Sequence, residues 1–196
     1  MRSLGVAEAV LPSSLRPLDR RWVLAGPIYT ISGHLSAEAT EHDTLLGWSG
    51  MLSDVPTGSV VVCQPDDSTL AHMGELSAEV LQKRGIRGYV VDGGCRDVAV
   101  IRRLGFPVFC RYVTPADIVG RWLIDRCGDP IRIGDVKIRT GDYVIADEDG
   151  IVVVPEESAE AVVRSAEKLV STETALRKAL RDGMDPKQAY LRFGVF

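Results

Sequence analysis

Three short apolar runs joined by helix-like patterns restrict this chain to very few folds. Ser59–Cys63 reads SVVVC, Tyr89–Val91 reads YVV and Pro107–Val113 reads PVFCRYV. None shows the polar alternation of a half-exposed strand, so each predicts a strand covered on both faces. Between the first two, residues 75–84 put Leu76, Val80 and Leu81 on one helical face and set Glu79 four residues before Lys83. Gly85 follows, as glycine does past a helix end. Residues 98–104 repeat the pattern in shorter form and stop at Gly105. Strand, helix, strand, helix, strand at this spacing means parallel βαβ units with right-handed crossovers.

The flanks read differently. Residues 1–20 hold two prolines and several small residues, and predict a surface arm or a short helix plus loop. Trp22–Ile31 predicts a strand broken or bulged at Gly26-Pro27. Residues 36–53 carry a rough helical stripe of Leu45, Leu46, Trp48, Met51 and Leu52. Gln64–Met73 is polar and predicts a loop. Ile131–Pro155 holds short alternating strands separated by Gly-Asp, Thr-Gly-Asp and Asp-Gly turns, which is hairpin chemistry. A long helix is predicted from Glu156 to Arg181, with Val162, Val163, Ala166, Leu169 and Val170 on its apolar side. At 196 residues, a single domain spanning 1–196 is expected, with 1–20 as its arm and 156–196 as its C-terminal helical segment.

Composition removes several function classes. A net charge of −4 without a basic stripe argues against nucleic acid, since Arg20-Arg21 and Arg102-Arg103 are short and isolated. No apolar run approaches the ~18 residues of a membrane span, and the N-terminus lacks a signal peptide's apolar stretch. The four cysteines form no CxxC pair and no zinc set with histidine. Reduced thiols in a cytoplasm account for them. His34, His42 and His72 all have polar or loop-like neighbours, and solvated rings are expected.

Gly74–Asp97, GELSAEVLQKRGIRGYVVDGGCRD, is where chemistry concentrates. Gly74 opens a helix whose first amides, those of Glu75, Leu76 and Ser77, have no intrahelical partner and attract anions. Without a side chain at Gly74, a ligand can approach the backbone there. Arg96 lies just past the end of a buried strand, where open α/β sheets place their ligands, and offers a fork for carboxylates. Asp97, Glu75 and Asp92 are hard oxygen donors, and magnesium needs only one or two carboxylates because it keeps several waters. Such an ion on a 2-keto-acid polarises the ketone and favours an enolate. Cys95 touches this stretch but has no histidine beside it, so it reads as a packing residue.

The same stretch resembles the class II pyruvate aldolases that cleave 4-hydroxy-4-methyl-2-oxoglutarate, a superfamily that includes the regulator of ribonuclease activity A. The shared pattern is an acidic residue, twenty residues, then Arg-Asp, matched here by Glu75, Arg96 and Asp97. Leu104–Phe109 and Gly141–Pro155 are similar as well, and the likeness runs over roughly residues 20–170. It implies an α/β fold, a swivelling β/β/α sandwich with βαβ units and a C-terminal helix, assembled as homotrimers or homohexamers with sites at subunit boundaries. By resemblance Asp97 binds Mg²⁺ or Mn²⁺, Glu75 holds a metal-bound water, and Arg96 binds the keto-acid oxygens. The amides after Gly74, near Leu76, bind the pyruvate carboxylate. An acidic residue from a neighbouring subunit is implied too, with Glu167 and Glu173 as candidates.

The resemblance thus implies a metal-dependent lyase releasing pyruvate from a small 2-keto-acid through a metal-stabilised enolate, with oxaloacetate decarboxylase side activity. Thr44, where many members have Asn after Asp43, and bulky Trp48 depart from the usual pattern near the substrate's distal half. The rival is a non-catalytic regulator that binds an RNA-degrading enzyme. Such members generally lack the aspartate after the arginine, so Asp97 favours the enzyme.

Overall fold

The computed structural model describes residues 5, 6 and 8–196, and in it the central strands alternate between two cores. The elements in chain order are β1 (Arg16–Pro17), β2 (Leu24–Leu35), α1 (Glu41–Asp54), β3 (Val60–Gln64), α2 (Glu75–Lys83), β4 (Gly88–Cys95), α3 (Val98–Leu104) and β5 (Val108–Val113). There follow β6 (Trp122–Cys127), β7 (Ile131–Ile133), β8 (Val136–Ile138), β9 (Tyr143–Ala146), β10 (Ile151–Val154), α4 (Ala159–Arg181) and α5 (Pro186–Phe193). The chain divides into two compact units. One runs from Val6 to Glu156 and holds the sheets; the other holds α4 and α5.

In the first unit β2, β3, β4 and β5 are parallel neighbours, with Ile28 opposite Val60, Val60 opposite Gly88 and Tyr89 opposite Val108. Successive residues of a strand face opposite ways. Val61 and Cys63 therefore join Tyr89, Val91 and Val108 in a core with Trp48, Ala78, Leu81 and Ile101 of the helices. Val60 and Val62 join Val90 and Phe109 in a second core, closed by Ile133, Ile138, Val144 and Val153 of the hairpin strands. Helices, central sheet and hairpin layer make the expected α/β sandwich, and the continuous apolar runs follow from burial on both faces.

Several local expectations change. β2 is not broken at Gly26-Pro27. It changes partner there: Leu24–Pro27 pair antiparallel with β9, and Ile28–Ser32 pair parallel with β3. The irregularity lies at Ser32/Gly33, opposite β6, a strand the sequence does not announce. Residues 8–20 are not a free arm, because Leu11, Leu15 and Leu18 are buried and β1 extends the sheet beside β5; residues 1–4 and 7 lie outside the described residues. On α1 the buried stripe is Thr44, Trp48 and Met51, while Leu45 and Leu46 are exposed. On α2 it is Ala78 and Leu81, with Leu76 and Val80 exposed. In the second unit, Val163, Leu169 and Val170 of α4 are exposed and Leu176 is buried. No helix among the described residues is long and apolar enough to cross a membrane.

Candidate active site

β4 does not end at Val91, where the apolar run stops. It continues to Cys95, with a register shift against β5 between Val91 and Gly94. Glycine is needed at 94, where a Cβ would lie 2.5 Å from the Leu70 carbonyl oxygen. That close approach lets residues 70–74 run beside the end of β4. The His72 amide donates to Gly94 (2.9 Å), the Arg96 amide donates to Met73 (2.9 Å), and Ala71 bridges to both Gly94 and Asp117. The start of α2 is thereby fixed against Arg96 and Asp97.

Asp97 has φ +57°, the left-handed region, which costs a residue with a Cβ about 1–2 kcal/mol. An Asp at a helix N-cap normally accepts from its own helix. Here only its carbonyl does so, from Val100 and Ile101, and no side-chain cap forms. The carboxylate turns instead to the next helix: Oδ2 accepts from the Glu75 amide at 3.1 Å. Arg96 Nε stands 3.7 Å from the same oxygen, longer than a hydrogen bond. Both side chains keep substantial solvent exposure. The empty space at Gly74 is taken by these two residues, since a Cβ there would sit 2.8 Å from Asp97 Oδ2 and 3.0 Å from Arg96 Nε. Ala78 is the first residue of α2 to donate back, to Gly74, which leaves the Leu76 and Ser77 amides without intrahelical acceptors.

These groups line a cavity of about 400 Å³ together with Thr44, Trp48, Asp117 and Ile118. Gly74, Glu75, Leu76, Ser77, Arg96 and Asp97 all belong to its wall. Asp117 is a site residue the sequence reading missed. Burial would raise its pKa, but the Arg121 hydrogen bond (2.9 Å), the Val119 amide and the nearby Arg96 charge together hold it below the usual range. The available signal was weak: an Asp four residues before an Arg in an ordinary loop sequence.

Asp92 is not available as a donor to this cavity, because both its oxygens are taken by Arg111. His72 is buried rather than solvated. Its ring packs edge-on against Trp122, 5.0 Å between centroids, and neither nitrogen has a hydrogen-bond partner among the described residues. Burial pushes its pKa down to about 4 against the weaker opposing pull of Asp67. His34 pairs with Asp125 and His42 is exposed, as a solvated ring should be. Cys95 is buried and its thiol pushed well up by burial, so it is a packing group. Cys110 and Cys63 are raised for the same reason, to about 11 and about 12. Glu167 and Glu173 lie exposed on α4.

The family model RraA-like, described as Aldolase/RraA, matches residues 1–153. This chain belongs to that family. A protein of Halalkalibacterium halodurans named "Putative 4-hydroxy-4-methyl-2-oxoglutarate aldolase" is 32% identical over 181 residues, covering 92% of this chain and 83% of that one. Protein DlpA of Legionella pneumophila is 30% identical over 90% of this chain, which spans only 28% of that longer protein. Among solved structures, RraAS2 of Streptomyces coelicolor, described as an unusual member of the RNase ES inhibitor RraA protein family, aligns with a TM-score of 0.81. It is 29% identical and covers 90% of this chain and 88% of that one. The α/β sandwich and the Arg96-Asp97 stretch are thus set within the Aldolase/RraA family, whose aldolase-named members support lyase chemistry at the family level.

Proposed function

We propose that this protein is a divalent-metal-dependent carbon–carbon lyase that cleaves a 4-hydroxy-2-keto-acid to pyruvate. The observation that carries the reading is the meeting of Asp97, Arg96 and the open start of α2 at the mouth of one cavity. The donor set, the Asp97 and Glu75 carboxylates, fits Mg²⁺ or Mn²⁺ because it is all oxygen and partly solvated. That arrangement suits an ion that keeps most of its waters and takes one or two carboxylates. Asp97 would hold it directly and Glu75 through water.

When bound, the ion polarises the ketone of the keto-acid. The chain's own residues supply the rest. The Leu76 and Ser77 amides bind the substrate carboxylate at the positive end of α2. Arg96 holds the keto-acid oxygens and stabilises negative charge as it develops. Water oriented by Glu75 takes the proton from the 4-hydroxyl. The C3–C4 bond breaks, its electron pair enters the enolate of pyruvate, and C4 departs as a carbonyl. A proton returned to C3 gives pyruvate. Where C4 is a carboxylate, as in oxaloacetate, loss of CO₂ yields the same enolate, so oxaloacetate decarboxylation accompanies the main activity. The aldolase-named relative directs attention to 4-hydroxy-4-methyl-2-oxoglutarate. The assembly we propose is a homotrimer or homohexamer.

The test is pyruvate release from both compounds with Mg²⁺ or Mn²⁺, with EDTA, and in Asp97→Ala. Release that needs metal and disappears in the variant, whose folding is checked by its melting curve, is expected. Turnover indifferent to EDTA or to the loss of Asp97 removes the metal site from the mechanism. The resemblance to RraAS2 favours a second reading, a protein-binding regulator, and absence of turnover from every keto-acid would move the argument there.

A further inference from the structure

We propose that Asp67 is a positioning residue: without touching substrate, it sets where the open amides of α2 stand. On the lyase reading those amides take the substrate carboxylate, and the proposal rests on that reading. Asp67 lies between β3 and α2, and its carboxylate is fully enclosed by this chain alone, out of reach of a neighbouring subunit. No lysine or arginine pairs with it among the described residues, and His72 Nε2 stands 3.7 Å away, beyond hydrogen-bond reach. A buried charge of this kind is costly unless hydrogen bonds compensate it. Three do, all from the next three residues. Oδ1 accepts from the Thr69 amide at 3.0 Å and the Thr69 hydroxyl at 2.7 Å, and Oδ2 accepts from the Leu70 amide at 2.7 Å. Burial opposes ionisation, yet these donors hold the carboxyl below the usual range. Both oxygens are used, so residues 67–70 are locked into one turn.

That turn aims the Leu70 carbonyl into the space Gly94 leaves open, and the Tyr112 hydroxyl donates to the same carbonyl at 3.1 Å. Gly93 makes the matching allowance one residue earlier, where a Cβ would lie 2.9 Å from Pro65 Cγ and 3.0 Å from His72 Nδ1. Residues 71–73 then run between the end of β4 and residues 116–117. The Ala71 amide donates to Ala116 at 2.7 Å, the His72 amide to Gly94 at 2.9 Å, and Met73 accepts from the Arg96 amide at 2.9 Å. One residue later Gly74 opens α2. The chain from Asp67 to Gly74 is thus a strut whose far end carries the Leu76 and Ser77 amides. Arg96 and Asp97 have a separate anchor, since Cys95 pairs with Val113 and the Asp97 carbonyl starts α3. Asp66, at φ +48°, and Asp97, at φ +57°, are the two non-glycine residues with left-handed backbone among the described residues. One stands at the root of the strut and the other against its tip, so strain is held where the site needs a fixed geometry.

Asp67→Asn keeps the size but turns an N–H group toward the Thr69 or Leu70 amide, which needs an acceptor. The deciding measurements are kcat and KM for pyruvate release from 4-hydroxy-4-methyl-2-oxoglutarate with Mg²⁺, and the calorimetric Kd of oxalate, a planar mimic of pyruvate enolate, under the same conditions. KM and Kd should both rise by about tenfold, with kcat within about threefold of wild type, because the carboxylate contact is used equally in ground and transition states. A merely structural aspartate gives the opposite split: fewer active molecules lower the apparent kcat and leave KM and Kd where they were. Unchanged KM and Kd in the folded variant therefore overturn the proposal and leave the lyase reading standing. Tyr112→Phe releases the same Leu70 carbonyl from the other side and serves if Asp67→Asn does not fold. It should raise KM and Kd by about two- to threefold, and no rise would overturn the proposal as well. If the wild type binds oxalate but releases no pyruvate, the lyase reading falls and Kd alone decides the role of Asp67. If it does neither, with metal present and the protein folded, both fall.

Discussion

Gly74→Ala separates the geometry of the site from the stability of the fold. Gly74 has φ −140° and ψ −179°, extended backbone that alanine adopts without strain. Replacing glycine in such a conformation stabilises by about 0.4–1 kcal/mol through the unfolded chain. The new Cβ, however, would lie 2.8 Å from Asp97 Oδ2, 3.0 Å from Arg96 Nε and 3.3 Å from Arg96 Cγ. These are ends of side chains rather than backbone, so they retreat, by roughly half an ångström or more, toward ordinary contact distances. That movement stretches the 3.1 Å bond from the Glu75 amide to Asp97. For a partly exposed carboxylate, losing it costs about 1 kcal/mol or less. The two effects nearly cancel, so stability should stay within about 1 kcal/mol and the melting temperature within about 2–4 °C of wild type. Catalysis should not be spared, because displacing the groups proposed to hold metal and substrate by a fraction of an ångström to 1 Å can cost about 100-fold. Urea denaturation and metal-dependent pyruvate release, run in parallel on the variant, provide the assay. Activity within about threefold of wild type at unchanged stability would show that the site does not depend on the close packing at Gly74.

Three other substitutions probe different parts of the argument. Arg96→Lys keeps the charge but loses the fork, and should lower kcat/KM by about 100-fold with an unchanged melting temperature; a near-normal rate would argue against keto-acid clamping. His72 titrates near 4 when folded and near its ordinary 6.5 when unfolded. The unfolded chain therefore takes up the proton first as pH falls, and up to about 3 kcal/mol of stability present above pH ~6.5 is lost on the way to pH ~4. His72→Phe keeps a ring against Trp122 and should flatten the stability curve across that window; parallel curves would contradict the assignment. At the irregular point of β2, Gly33→Ala would put a Cβ 2.1 Å from Trp122 Cζ2 and 2.3 Å from the Leu123 carbonyl oxygen. It should destabilise by about 3 kcal/mol in urea denaturation, and a loss under about 0.5 kcal/mol would show that β6 yields easily.

The layers of this fold are legible where burial acts through periodicity. Val60–Cys63 is apolar throughout because its alternate residues enter two different cores, and no other environment demands that pattern. Parallel order follows from the helices between the strands, whose length permits only crossovers. Partner choice is harder to read. β2 meets β9, β3 and β6 along twelve residues, and nothing in LAGPIYTISGHL marks where one partner gives way to the next. β6 is hidden for a related reason: only Trp122 is fully buried, so its sequence lacks a clear alternation. Leu11, Leu15 and Leu18 look like scattered residues around Pro12 and Pro17, and their burial depends on surfaces assembled much later in the chain.

The site divides along the same line. The proximity of Glu75 to Arg96-Asp97 is readable, because a helix start and a strand end at the carboxyl edge of a parallel sheet must be neighbours. What cannot be read is how they meet. Asp92-Gly93-Gly94 looks like a turn, yet the strand continues because Gly94 makes room for the Leu70 carbonyl, and that contact fixes the Gly74 loop. Asp97 looks like a conventional helix cap, yet its left-handed backbone carries the carboxylate away from α3 and onto the Glu75 amide of α2. Gly74 is required for a reason opposite to the one its position suggests. Its missing side chain admits Asp97 and Arg96, residues of this same chain. Strain at Asp97 and close packing at Gly74 are therefore one arrangement. A sequence change that relaxes either should loosen the other: Asp97→Gly removes the carboxylate that a Cβ at position 74 would press against, so in urea denaturation Gly74→Ala should stabilise more in that background than in the wild type.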